Sequence, residues 1–266
     1  VLAIDIAPLN SEGIFEKESL MKTLLTSLAA ATVATTAAAQ DAKPVASAPL
    51  FSNFTLTESV GVYDKKGSAS TVAALDTLLG VKALGLDWHL AVPVYVSDAA
   101  GYGSIELGTS WDALKGVDFL GSKTTVNLEG GLFLPTGSAG YEATNVNPHV
   151  GAGALLDWGT WSLSQTADWR FVTGGTMYDP LLGTISDDLA TLVTGLNYKW
   201  TDTLTLGADL GQYYLIGGEG AIVVSPNLKW SAASNVEVSA GVGVPVWQEL
   251  AVENNLVVNA GVSFKF

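Results

Sequence analysis

The 266-residue chain carries 26 acidic against 12 basic side chains, a formal net charge of −14, and no cysteine. Phosphate backbones need clustered Lys and Arg, so this balance excludes nucleic acid as a partner, and a lone arginine, Arg170, sharpens the point. Without cysteine there is no disulfide framework, which is compatible with export to an oxidising compartment.

The chain opens with residues 1–20, followed by Met21-Lys22, an apolar run from Leu24 to Val33 and the small residues Ala37-Ala38-Ala39 before Gln40. A basic start, a short apolar stretch and an A-x-A site are the parts of a secretory signal peptide, expected here at 21–39. Since a signal peptide starts a protein, residues 1–20 are expected to be an untranslated upstream extension. Residues 40–49, Q-D-A-K-P-V-A-S-A-P, lack periodicity and read as a flexible periplasmic leader.

From residue 50 to 266, alternating segments recur, separated by Gly, Asp, Asn, Ser and Thr clusters, and we count about twelve of them in one domain. The first two, near 50–63 and 71–83, are the weakest, because Glu58 or Asp76 interrupts whichever face is chosen. In the third, Leu86, Trp88, Leu90 and Val92 alternate with Asp87, His89, Ala91 and Pro93. The fourth sets Ile105, Leu107 and Trp111 against Glu106 and Asp112, and residues 113–121 leave room for a short helix. Glu129 and His149 fall on the polar faces of the next two segments. After the turn Trp158-Gly159-Thr160, Trp161, Leu163 and Trp169 oppose Asp168 and Arg170, and the longest loop runs from Gly174 to Asp188. The plan repeats with Lys199, Asp209, Lys229 and Glu237 on polar faces, and it closes on Asn255 to Phe266.

Mean hydropathy is positive, yet no run approaches the roughly 18 apolar residues of a membrane helix. Alternation dilutes apolar residues in a transmembrane barrel, which reconciles the two observations. A soluble sandwich would show the same alternation. The connections decide between them: those near 84, 158–160, 200–203 and 231–235 are short, those on the other side are longer, and 113–122 is the exception. Trp88, Trp111, Trp158, Trp161, Trp200 and Trp230 lie near the short-turn side, where indoles suit a bilayer interface. Tyr63, Tyr95, Tyr213, Tyr214 and Phe171 are expected in a second girdle at the other end. The expected fold is an all-β, transmembrane, antiparallel up-and-down β-barrel of about twelve strands.

The signal peptide, the run of amphipathic strands and the ending V-S-F-K-F resemble Gram-negative outer-membrane β-barrel proteins. That resemblance covers residues 50–266 and implies that Phe264 and Phe266 form part of the signal read by the outer-membrane assembly machinery. The pieces G-L-F-L-P-T-G at 131–137 and G-V-G-V-P-V at 241–246 also resemble the barrel family of phenol meta-pathway transporters.

With lipid on the apolar side, Asp87, His89, Glu106, Glu129, His149, Asp168, Arg170, Lys199, Asp209, Lys229 and Glu237 line the lumen, since ionised groups do not face lipid cheaply. The expected function is a porin-like channel of the cell outer membrane for small solutes, cation-preferring or passing neutral polar molecules; the alternative is a non-conducting structural or surface-recognition barrel acting through its loops. Catalysis is not expected, because no serine sits in a nucleophile motif, and His89 and His149 lack the spacing of zinc ligands, so no metal or cofactor is assigned. Asp98, Glu142, Asp179, Asp187, Asp188, Glu219, Glu249 and Glu253 gather in the outer loops. They serve as a solvated surface or as a site where divalent cations bridge to lipopolysaccharide.

Overall fold

A sheet whose strands are apolar on one face leaves its edge hydrogen-bonding groups unpaired unless it closes on itself. The computed structural model describes residues 51–66, 71–97, 100–138, 140–141, 143–250 and 253–266, and it shows that closure. Its strands are β1 (Phe51–Lys65), β2 (Thr71–Ala83), β3 (Leu86–Val96), β4 (Ala100–Tyr102), β5 (Ile105–Phe119), β6 (Ser122–Leu134), β7 (Asn147–Asp157), β8 (Trp161–Arg170), β9 (Met177–Asp179), β10 (Gly183–Ile185), β11 (Leu189–Lys199), β12 (Leu204–Leu215), β13 (Gly220–Ala233), β14 (Val236–Glu249) and β15 (Asn254–Lys265). Each long strand pairs antiparallel with its neighbours, β2 pairs with both β1 and β3, and β1 pairs with β15, giving a closed barrel of 12 strands. The short β4 pairs with the end of β3, and β9 and β10 form a separate hairpin. The expected upstream extension, signal peptide and leader lie outside the described residues, as do Asp98 and Glu142.

One rim carries both ends of the barrel and the tight turns. Leu84 and Gly85 have φ of 56° and 79°, and Leu120 and Gly121 have 50° and 72°. Two successive positive φ values make the two-residue turn whose twist matches paired strands. The helix for which 113–121 leaves room does not form. Instead β5 continues to Phe119, and its surplus residues are taken up by register shifts between Asp112 and Leu114 and between Leu114 and Val117. The long connection on the short-turn side therefore becomes a two-residue turn at the end of an extended hairpin.

The apolar faces point outward. Leu107, Leu128, Leu132, Val150, Leu196, Leu228, Val242, Val244 and Val258 are all exposed large side chains on successive strands. Trp111, Trp158, Trp161, Trp200 and Trp230 share that surface, each more than two-fifths exposed, while Trp88 is half-buried and donates its Nε1–H to the Ala83 carbonyl. Register resolves the ambiguity of the first two strands. Asp76 pairs across from Ser59 on the face that carries Tyr63, so it points inward; Glu58 points outward, where its Oε2 accepts a 3.0 Å hydrogen bond from Thr77.

Three aromatic placements differ from the sequence reading. Tyr63, Tyr95 and Tyr213 do not join an outer girdle but point into the barrel, with Tyr95 only 6% exposed and Tyr63 and Tyr213 packed on its internal core. Their phase on β1, β3 and β12 turns them inward, where they meet a plug of apolar surface inside the lumen. Tyr214 and Phe171 stay outside, against Trp247 and Trp169 respectively.

That plug is the β9–β10 hairpin from the Gly174–Asp188 loop. Met177, Leu181, Leu182 and Ile185 are buried with Val172, Leu189, Leu215, Val223 and Val257 from the barrel wall, and Tyr178 packs edge-on against Tyr95 and Tyr141. Burying four aliphatic side chains at about 1.5–3 kcal/mol each is enough to hold a loop inside the lumen. Asp179, expected in a solvated outer loop, is accordingly buried, and its Oδ1 accepts hydrogen bonds from the Leu181 and Leu182 amides at the hairpin turn.

Candidate functional site

Beneath the hairpin, the polar faces of β3, β5, β6, β7, β8 and β11 converge on a cavity of about 220 Å³. It is lined by His89, Glu106, Glu129, Phe133, His149, Thr166, Asp168, Arg170 and Thr191. Register brings them together. His89 sits opposite Gly108 and His149 opposite Gly131, so each ring lies flat over a neighbouring strand where a side chain would collide with it.

The groups form a chain of charged contacts. Glu106 Oε1 lies 3.0 Å from His89 Nε2 and 3.2 Å from His149 Nε2; the second is a close ionic contact without hydrogen-bond geometry. His149 Nδ1 is 3.0 Å from Asp168 Oδ1, and Asp168 Oδ2 accepts from Arg170 Nε at 3.0 Å. Arg170 then reaches Asp179 Oδ2 of the hairpin at 3.5 Å and covers the Phe133 ring at 5.2 Å from its centroid. The wall of the lumen is thus tied ionically to the hairpin. Neutralised guanidinium and stacked ring together favour arginine over lysine at position 170.

A second tether holds the hairpin turn. Lys65 Nζ donates to the carbonyls of Pro180 and Leu181 at 2.8 and 3.2 Å, and Asn254 Nδ2 donates to Leu181 at 2.8 Å. Lys65 is 6% exposed, so its ammonium is taken out of water in exchange for these bonds.

The remaining lumen residues named from the sequence lie elsewhere on the inner face. Asp87 pairs with Lys82. Asp209 accepts a 2.7 Å hydrogen bond from Asn227, and Lys229 stands one inward position further along β13. Lys199 pairs with Asp202 and lines a cavity of about 170 Å³ at the rim of tight turns, with Asp157, Asn197 and Thr205. Glu237 is opposite Ser263 on β15. Sequence reasoning missed Lys65, Thr191 and Asn254, and it read Asp179 as an outer-loop residue. The available signal was apolar: four aliphatic residues in a loop otherwise rich in Gly, Asp and Thr have no reason to sit in water.

Among the described residues, no group of three or more His, Asp or Glu side chains is arranged to hold a metal ion. Phe264 and Phe266 stack at the closing seam, where the Phe266 amide donates to the Phe54 carbonyl at 2.8 Å.

No family model matches the sequence, and no curated protein matches it either. Solved structures do resemble it. An outer membrane channel from Pseudomonas putida F1 superposes with a TM-score of 0.63 at 11% identity, over 85% of this chain and 100% of that one. The NanC porin gives 0.53 at 11% identity, over 79% and 100% of the two chains. The KdgM porin in complex with disordered oligogalacturonate gives 0.52 at 14% identity, over 80% and 99%. At these identities the likeness concerns architecture. The chain has the closed, 12-strand antiparallel fold of outer-membrane channels.

Proposed function

We propose that this protein is an outer-membrane channel for small solutes, exported by the signal peptide at 21–39, and that it prefers cations or neutral polar molecules. The observation that carries the reading is the charge inside the lumen: Asp76, Asp87, Glu106, Glu129, Asp168, Asp209 and Glu237 on the wall and Asp179 on the hairpin share it with Lys65, Lys82, Arg170, Lys199 and Lys229. Most of the cations are matched to carboxylates or carbonyls, which leaves surplus negative charge facing the water path, and rings of carboxylates select cations. A neighbour in fold, the KdgM porin, has been seen with oligogalacturonate, a carboxylated sugar polymer; a lumen with this charge balance would repel such a ligand.

One observation favours the rival reading of a non-conducting barrel. The β9–β10 hairpin crosses the lumen and is fixed at its turn by Lys65 and Asn254. Under the channel reading the hairpin narrows the pore and limits it to small solutes. Planar-bilayer recording of the purified barrel tests the two: discrete, cation-selective steps support the channel, and a silent barrel supports the structural role. The Trp111, Trp158, Trp161, Trp200 and Trp230 indoles then mark one lipid–water boundary, and Phe266 serves the assembly machinery.

A further inference from the structure

We propose that the cavity beneath the hairpin is a binding subsite for a small organic cation bearing a primary ammonium, received by Glu129, Glu106 and Thr191. The inference rests on the channel reading and names the solute class it would select.

Arg170 is matched by Asp168 and Asp179, and Glu106 directs one oxygen, Oε1, to both imidazoles. Glu129 lines the same cavity, and among the described residues its carboxylate has neither a hydrogen bond nor an ion-pair partner. It is laid along the wall toward the cavity because β7 carries Gly151 beneath it; a Cβ there would come within 2.5 Å of the Glu129 Oε1. Arg170 and two imidazoles already face three carboxylates, Glu106, Asp168 and Asp179, and the further, unmatched carboxylate of Glu129 attracts a positive charge.

Hydrogen-bonding capacity narrows the class. Thr191 Oγ1 is buried on this cavity without a partner, a costly arrangement unless a ligand or water supplies one. Glu106 keeps Oε2 free of the contacts made through Oε1. These are acceptor positions on three strands around one space. A primary ammonium offers three donors and can address several of them together, whereas a quaternary ammonium offers none. The volume, about 220 Å³, lies below the range of pockets for drug-sized ligands and suits a solute of a few heavy atoms.

The test uses ethanolamine and tetramethylammonium as paired probes on the full barrel in planar bilayers. Ethanolamine is expected to block the potassium current about tenfold more tightly than tetramethylammonium, and Glu129→Gln to weaken its block by about tenfold, the size of one charge-assisted hydrogen bond. Thr191→Val is expected to weaken it by roughly threefold. Glu219→Gln, in the turn at the opposite rim from the chain ends, is expected to leave the block unchanged. Equal block by both probes, or equal loss in Glu129→Gln and Glu219→Gln, means that overall charge is responsible and overturns the site. If the barrel proves silent, the channel reading fails, and calorimetry with the same probes on the detergent-solubilised protein decides the site alone. Ethanolamine binding that disappears in Glu129→Gln supports it, and no binding to the unaltered protein overturns it.

Discussion

Lys65 Nζ donates a 2.8 Å hydrogen bond to the Pro180 carbonyl, joining the first strand of the barrel to the turn of the hairpin that crosses its lumen. The same ammonium reaches Leu181, so one buried charge fixes the hairpin at its tip. Replacing it with Met keeps most of the length and removes both bonds. Lys65→Met is expected to destabilise the barrel by about 1–3 kcal/mol in urea unfolding followed by tryptophan fluorescence. It is also expected to raise single-channel conductance, because the tip then keeps only the Asn254 bond and moves more freely on its apolar seat. Unchanged conductance with lowered stability would mean that the hairpin does not limit the pore.

The glycines under the imidazoles give a paired prediction. A methyl group at Gly131 would strike the His149 ring and lie 2.7 Å from the Leu107 carbonyl oxygen, whereas one at Gly130 meets only the His149 carbonyl oxygen at 3.4 Å. Gly131→Ala is expected to cost about 1–3 kcal/mol, as overpacking does, and Gly130→Ala well under 1 kcal/mol. Urea midpoints of the two variants check this directly, and similar midpoints would contradict the placement of His149.

Leu120 occupies the first position of a turn with both central φ values positive, and it is 75% exposed. A leucine there carries the left-handed backbone penalty of about 1–2 kcal/mol without packing to offset it. Leu120→Asn is expected to recover roughly 0.5–1 kcal/mol, since Asn tolerates this region. Destabilisation would show that the leucine packs against something in the membrane or beyond it.

At the seam, the Phe266 amide bonds to the Phe54 carbonyl and its ring stacks on Phe264, 6.4 Å between centroids. Deleting Phe266 removes the last ladder bond and the terminal aromatic together. The truncated chain is expected to accumulate outside the membrane fraction, measured by fractionation and by loss of the heat-modifiable folded band on gels. Normal assembly would remove the aromatic terminus from the account.

The barrel was legible in the sequence because period-two alternation came with uneven connections and with indoles gathered on the short-turn side. Glu106, His149 and Asp168 each sit on the polar side of a strand whose other side carries Leu107, Val150 or Trp169, so the two faces were separable from the sequence. What alternation cannot supply is register between strands. The meeting of His89, Glu106 and His149 depends on His89 lying opposite Gly108 and His149 opposite Gly131, and a slip of one residue would send an imidazole outward. The hairpin was missed for a different reason. Loops are normally at the surface, so the 174–188 stretch reads as solvated until Met177, Leu181, Leu182 and Ile185 are weighed together. Tyr95 could have been placed from its own strand, where it alternates in phase with Asp87 and His89. Its aromatic character pointed to a girdle, and its phase pointed to the lumen; phase was the better guide.

The measurement that bears most directly on the central claim is the reversal potential of the purified barrel in a planar bilayer under a potassium chloride gradient. The acidic inner face requires discrete steps whose reversal potential has the sign for cation preference, shifting toward zero when Glu106 or Glu129 is reversed to lysine. A conducting barrel with anion preference, or one whose selectivity ignores both substitutions, would contradict it.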